Sequence, residues 1–255
     1  MASPADARRT TPLAHSCARA HRCPRPLRLR VLARTPLFAN LNLNLADIDR
    51  RMRARGFNAG EYLYQQGETA SHLYIVAAGR AKVIRTNTGG DLAITNILGP
   101  GDLFGGLEFL GVARHHESVQ ALQTTCALQV DAPAFRQLLT DYPAVALRAF
   151  DELATQLRET HDAFAHATTA PLQARVAEVL LRLAAKFGDD TEVGELIEVP
   201  LSRADLAAMC AATTESVSRI MSAFKRDGLI DSGRNWTALT NRMALEDIAA
   251  QFAVN

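Results

Sequence analysis

The sequence predicts an α+β chain in three parts: an amino-terminal block of short strands, one long helix, and a carboxy-terminal helical unit finished by two small strands. Three observations carry this. Between Tyr62 and Val130, short β-type runs alternate with glycine turns. From Ala144 to Thr169 there is neither Gly nor Pro, and apolar residues recur at helical spacing. After Ser202, two capped helical patterns are separated by a few residues.

A length of 255 residues fits two compact units plus an arm. With 48% hydrophobic and 22% charged residues the composition is that of an ordinary globular chain. No apolar run approaches the roughly 18 residues of a membrane helix, so with this composition whole-chain disorder and membrane spanning are excluded, and no membrane partner is expected. The formal net charge of +1 carries no nucleic-acid signature, but it is a sum of opposites. Residues 1–55 hold twelve Arg against Asp6, Asp47 and Asp49, a balance of +9, which leaves −8 for the rest.

Residues 1–34 are Arg-rich, Pro-punctuated and acid-poor, and read as a basic, flexible arm. They lack the apolar core of a secretory signal, which points to the cytoplasm; an organelle transit peptide shares the composition and is the alternative. Four cysteines in this length make no disulfide framework. The arm nevertheless holds His15-Ser16-Cys17-Ala18-Arg19-Ala20-His21-Arg22-Cys23, four soft ligands beside guanidiniums that lower thiol pKa. Metal, cluster and redox chemistry are all open there. The spacing matches no zinc-finger pattern, so an arm with idle cysteines stands beside them.

Residues 35–140 read as a jelly-roll sensor domain. Pro36-Leu37-Phe38 and Leu45 to Met52 give a helical entry, and strands follow at Tyr62–Tyr64, Leu73–Val76, Ala81–Thr86, Leu92–Leu98, Ser118–Gln123 and Cys126–Val130. Many short strands between glycine turns argue for a barrel or jelly roll. Residues 141–170 read as a dimerisation helix, because Phe150, Leu153, Leu157 and Phe164 keep heptad spacing, with Ala167 beyond and Thr160 at the missing d position. The alternative is a stripe packed on its own jelly roll.

Residues 171–255 read as a winged helix-turn-helix domain. Leu172–Phe187 is amphipathic, and Gly188-Asp189-Asp190 closes it. Ser202-Arg203-Ala204-Asp205 is a capping box for a helix to about Cys210, Ala211-Ala212 turns, and Thr213 caps a helix over Thr214–Asp227 that stops at Gly228. Leu229-Ile230, Gly233 and Trp236–Leu239 supply the wing. In the second helix Glu215, Ser218 and Arg219 stand at i, i+3 and i+4 on one face, opposite Val217, Ile220, Met221 and Phe224. Glu accepts from cytosine N4 and Arg donates twice to guanine, so this face is suited to reading double-stranded DNA, with Thr213 and Thr214 beside it. A plain Glu215–Arg219 surface salt bridge is the alternative. Residues 171–255 sum to −3, but Asp189, Asp190, Glu192, Glu195 and Glu198 lie before the helix pair; from Arg203 to Arg242 the balance is +2. Arg203, Lys225, Arg226 and Arg234 are the candidates to neutralise phosphates. Cys210 is expected in the core.

Gly67, Gly79 and Gly101-Asp102-Leu103-Phe104-Gly105, at these separations, resemble the sensor domain of the CRP/FNR family of transcription regulators, and the resemblance runs from about Leu32 to the end. It implies a cyclic-nucleotide-binding-like domain, a homodimer, palindromic DNA and RNA polymerase as a further partner. No phosphate loop, nucleophile elbow or HExxH motif points to an enzyme. Nucleotide-binding members carry Phe-x-Gly-Glu and then Arg-Ser; here Leu107 stands at the ribose-binding Glu and Glu117-Ser118 at Arg-Ser. A carboxylate facing a phosphodiester repels it, so cAMP and cGMP are disfavoured, with Arg114 the substitute cation.

His115-His116-Glu117-Ser118-Val119-Gln120-Ala121-Leu122 resembles the FNR-like branch, whose members hold an iron-sulfur cluster through three amino-terminal cysteines and one in a later strand. This chain offers Cys17 and Cys23, and Leu128 stands at the fourth position with Cys126 on the same strand face. An iron-sulfur cluster completed by His15, His21 or an oxygen ligand is therefore a candidate cofactor. Haem through His115-His116, thiol redox chemistry, and no small effector are the others; a solvated loop also accounts for the His pair, and burial alone for Cys126. The Glu-x-x-Ser-Arg spacing is that of the FNR-like branch and implies TTGAT-like half-sites. The combined expectation is a dimeric DNA-binding regulator answering a redox, oxygen or other small effector. The second class is a redox or metal-handling protein using the Cys17/Cys23 arm.

Overall fold

A computed structural model of the chain describes residues 23–106, 111 and 113–250, without the side chains of 162, 166 and 167. His15, Cys17, His21 and Leu107 lie outside the described residues, as does the side chain of Ala167. The described chain divides into two compact units, 23–158 and 159–250.

In the first unit, α1 (Arg25–Arg34) and α2 (Leu45–Arg50) precede β1 (Arg53–Phe57), β2 (Tyr62–Tyr64), β3 (His72–Ala78), β4 (Ala81–Thr86), β5 (Leu92–Leu98), β6 (Leu103–Gly105), β7 (Ser118–Ala121) and β8 (Thr125–Asp131). These form two antiparallel sheets, β1-β8-β3-β6 and β2-β7-β4-β5, the expected sandwich. Strand alternation explains why β3 is buried from Leu73 through Ala77. Leu73, Ile75 and Ala77 join the helices in one apolar cluster, whereas Tyr74 and Val76 point into the sandwich with Val83, Val119 and Ala127. In β8, Cys126, Leu128 and Val130 likewise share the helix-side cluster while Ala127 faces inward. Gly79 turns β3 into β4 at φ +85°, and a Cβ there would lie 2.7 Å from the Thr125 Cα, so both conformation and space demand glycine.

Two strands escaped the sequence reading. β1 is an edge strand whose Arg53 and Arg55 hide any alternation, and β6 has three residues, too short for a period. The flexible arm through residue 34 is corrected from Cys23 onward. Cys23, Val31 and Leu32 are buried, and Arg28 donates from Nε to Asp49 Oδ1 (2.6 Å) and from Nη2 to the Asp49 carbonyl (2.9 Å). Arg25, Arg30 and Arg34 are exposed, Arg28 turns in to the buried Asp49, and Val31 and Leu32 are buried.

After α3 (Ala132–Asp141), the 27-residue helix α4 (Pro143–Thr169) carries the chain through the boundary. The second unit holds α5 (Leu172–Phe187), β9 (Gly188–Thr191), β10 (Gly194–Ile197), α6 (Arg203–Met209), α7 (Thr214–Arg226), β11 (Ile230–Gly233), β12 (Trp236–Leu239) and α8 (Arg242–Ala250). α5 is its centre, buried at Ala174, Val176, Ala177, Val179, Leu180, Leu181, Leu183 and Ala184. The strands form one antiparallel sheet, β11-β12-β10-β9, so the acidic connector becomes a hairpin paired to the wing. Among the described residues no helix is long and apolar enough to cross a membrane.

Candidate functional site

Local chemistry builds the helix pair as expected. Ser202 Oγ accepts from Asp205 N (3.0 Å) and Asp205 Oδ2 accepts from Ser202 N (2.9 Å), which starts α6 with a closed capping box. Ala211 takes a left-handed conformation in the turn, and Thr213 Oγ1 accepts from Ser216 N (3.2 Å) to start α7. Val217, Met221 and Phe224 are buried, which fixes the rotation of α7 and leaves Glu215 and Arg219 outward, their side chains 74% and 77% exposed. Thr213 and Thr214 are exposed beside them, and Ser218 is half-buried. Arg219 donates from Nη2 to Glu215 Oε1. The salt bridge and the shared reading face thus occur on the same two side chains.

The candidate phosphate ligands divide into tethered and untethered. Lys225 Nζ meets Asp231 Oδ1 at 2.8 Å and the Ser232 carbonyl at 3.0 Å, and its donation holds the Asp231 carboxyl below the usual range. Arg203 Nη2 donates to Ser232 Oγ at 3.3 Å, and burial pushes its pKa down. Both helices are therefore pinned to the wing through Asp231 and Ser232, residues the sequence reading passed over although they directly precede the wing glycine. Arg226 pairs with Asp227. Arg234 is exposed at the tip of the β11–β12 turn, where Asn235 takes φ 66°. Cys210 is buried, as expected, and burial pushes its thiol up to about 11.

Along α4, Leu147, Phe150, Leu153, Leu157 and Phe164 are 56–72% exposed in the single chain, and Thr160 is exposed among them. Within the first unit, Leu147, Phe150, Leu153 and Leu157 are thus not packed on the jelly roll, against the alternative reading of the stripe. Leu147 is a further exposed apolar residue on this helix, which the sequence reading did not single out.

Inside the sandwich, Tyr64, Tyr74, Phe104 and His115 form an aromatic group. Tyr64 and His115 stack with centroids 3.6 Å apart and planes at 12°, and Tyr74 and Phe104 follow at 5.3 Å. His115 is buried, which corrects the solvated-loop reading of this residue; only His116 is exposed. Burial holds the His115 pKa below its ordinary value. Glu117 accepts from Tyr64 Oη at 3.4 Å, and burial pushes its carboxyl upward against the opposing effects of Tyr64 and Arg85. Burial and Glu117 together raise the Tyr64 phenol. Arg114, the substitute cation, donates to the Gly67 carbonyl at 2.7 Å.

The structure brings Cys23 and Cys126 together. Both are buried in one apolar cluster, and a hydrogen bond with the Cys126 side chain holds the Cys23 thiol below its ordinary value, opposed by burial, aided by Arg28 and opposed by Asp49. Among the described residues no group of three or more His, Cys, Asp or Glu is placed to hold a metal. Two thiols supply half of the four ligands that an iron-sulfur cluster takes.

Comparison with known proteins follows this division. The cyclic nucleotide-binding domain family matches residues 54–142, and the Crp-like helix-turn-helix domain family matches residues 174–248. The CRP-like cAMP-activated global transcriptional regulator of Mycobacterium tuberculosis is 28% identical over 203 residues, 78% of this chain and 90% of its own. The transcriptional activator protein FnrA of Stutzerimonas stutzeri is 24% identical over 75% of this chain and 80% of its own. The structure of TTHB099, a CRP-family transcriptional regulator from Thermus thermophilus, superposes with a TM-score of 0.66 at 28% identity, covering 78% of this chain and 98% of that one. A cyclic-nucleotide-binding-like sandwich followed by a Crp-like helix-turn-helix defines a class of transcription regulators. The chain belongs to the CRP/FNR family within it. Helix-turn-helix regulators of this family bind DNA and dimerise. The relatives it matches are regulators, not enzymes.

Proposed function

We propose that this protein is a cytoplasmic, homodimeric regulator that reads a palindrome of TTGAT-like half-sites with the amino-terminal turn of α7. The observation that carries the reading is the edge of exposed Glu215 and Arg219 with half-buried Ser218, set against a buried Val217, Met221 and Phe224 stripe. Glu215 accepts from a cytosine, Arg219 forks onto a guanine, and their mutual salt bridge is exchanged for base contacts. Thr213, Thr214 and Arg234 touch the backbone, and Arg203 joins after leaving Ser232 and Lys225 after leaving Asp231 and Ser232. The α4 stripe forms the two-stranded seam that spaces two reading heads about one DNA turn apart. RNA polymerase is the further partner.

The effector is a redox, oxygen or other small signal rather than cAMP. Support comes from Glu117, a half-buried carboxyl at the position where nucleotide binders of the family carry Arg, and from the aromatic group beside it. The M. tuberculosis relative is named for cAMP activation, so the point is worth direct measurement. The test is fluorescence anisotropy on a TTGAT palindrome and on a scrambled duplex of equal length, with and without micromolar cAMP. Tighter binding to the palindrome, unmoved by cAMP, is expected. Equal binding to both duplexes overturns the base reading, and a cAMP-dependent gain overturns the effector reading.

A further inference from the structure

Cys23 opens the described chain just before α1, and Cys126 lies in β8, far along the sequence, yet both fall in one buried cluster with Val31, Leu128 and Val130. A buried cysteine in such a setting is ordinarily a small hydrophobe. Two of them whose side chains hydrogen-bond across a tertiary contact are a different arrangement. The ladder gives Cys126 room for a sulfur partner, because its neighbours across the sheet are Gly56 on β1 and Ala78 on β3, both small. The other half is held in place from α1. Arg28 donates to Asp49 Oδ1, to the Asp49 carbonyl and to the Met52 carbonyl (3.2 Å), which fixes the segment that follows Cys23.

We propose that Cys23 and Cys126 are a dithiol that a hydroperoxide converts to an intrachain disulfide, tying α1 to β8. The Cys23 sulfur attacks the peroxide, the O–O bond breaks, and the products are a sulfenic acid and one water or alcohol. The Cys126 sulfur then attacks the Cys23 sulfur, forming the S–S bond and breaking the S–O bond; the hydroxide leaves with the Cys126 proton as a second water. Two electrons pass from the two thiols to the peroxide. A cellular dithiol reductant reverses the step by thiol-disulfide exchange. Cys23 is oxidised first, since it is 5% exposed and Cys126 is 0% exposed. This deepens the redox reading of the sensor, and the bond is detected by mass rather than by DNA affinity, so its failure is separable from failure of the DNA reading.

The test uses the full-length protein, reduced, freed of reductant and treated with hydrogen peroxide. Remaining thiols are alkylated under denaturing conditions before tryptic digestion without reduction. Cys17, Cys23 and Cys126 fall in different tryptic peptides, because Arg19, Arg22 and Arg114 separate them. A crosslinked Cys23–Cys126 pair lighter by two hydrogens, in a protein that migrates as a single chain without reductant, is expected. In Cys126→Ser the crosslink is lost, and oxidation no longer raises the thermal midpoint as it does in the parent. A Cys17–Cys23 bond, a bond between chains, or full alkylation of both residues after peroxide overturns the proposal. Iron and sulfide in the anaerobically purified protein, lost in Cys126→Ser, overturn it in favour of a cluster.

Discussion

Arg219 and Glu215 neutralise each other on a solvent-exposed helix face, and a pair exposed to that degree contributes little to stability. Arg219→Ala is therefore expected to leave the thermal midpoint nearly unchanged. It should weaken binding to the TTGAT palindrome by about 1–3 kcal/mol and relax preference at one base pair per half-site. Anisotropy over a set of single-position variants checks both parts, and a uniform loss across all sequences would move Arg219 to the phosphates. Glu117 is the opposite case, a carboxyl whose cost lies in burial. Its raised pKa means that the folded chain holds the proton more tightly than the unfolded chain, so stability is lost as pH rises above the ordinary carboxylate range through the raised value. Glu117→Gln should thus be more stable than the parent near pH 7, with the difference closing toward about pH 4. His115 works in the other direction, since its depressed pKa costs stability as pH falls below the ordinary imidazole range, which both proteins share. Parallel midpoint-against-pH curves for parent and variant would contradict the Glu117 assignment.

At the level of elements, α4 and α7 were legible for the same reason: each presents a period that survives without knowledge of partners. The α7 stripe at Val217, Met221 and Phe224 is buried as the spacing demands, and the Ser202 and Thr213 caps sit where side-chain chemistry places them. α1 and β1 were not legible, because their arginines dominate a composition count while the few residues that decide packing, Val31 and Leu32, are outnumbered. His115 failed differently. A loop histidine is polar by default, and only the fold brings the Tyr64 ring over it. The seam on α4 gives the element-scale prediction. Leu153→Glu with Leu157→Glu would place unpaired carboxylates in a dimer core at a cost of roughly 3 kcal/mol or more. The variant should sediment as a monomer at concentrations where the parent is a dimer, with little change in helical content. A doubly substituted protein that remains dimeric would put the interface elsewhere.

For the molecule as a whole, net charge was a poor guide to its partner, and the structure shows the physical reason. Of the basic residues near the reading face, Arg219, Lys225 and Arg226 are each paired with a carboxylate, and Arg203 is partly buried against Ser232. Among the described residues of this face, Arg234, exposed at the wing tip, is the one expected to meet a phosphate without first leaving a partner. Arg234→Ala should weaken binding to all duplexes alike and reduce the slope of log affinity against log salt by about 0.9 per half-site. A loss confined to the palindrome, with the salt slope intact, would contradict a phosphate role.

The same self-pairing bears on how a target is found. A protein coated with unpaired cations lingers on any stretch of duplex, and in a genome the irrelevant sites far outnumber the right one. Here the reading helix meets DNA already carrying its own counter-charge at Glu215, so brief collisions with the wrong sequence offer little reason to stay. On the reading proposed above, search would proceed by many short visits through solution rather than by long sliding, with arrest only where cytosine and guanine part Glu215 from Arg219.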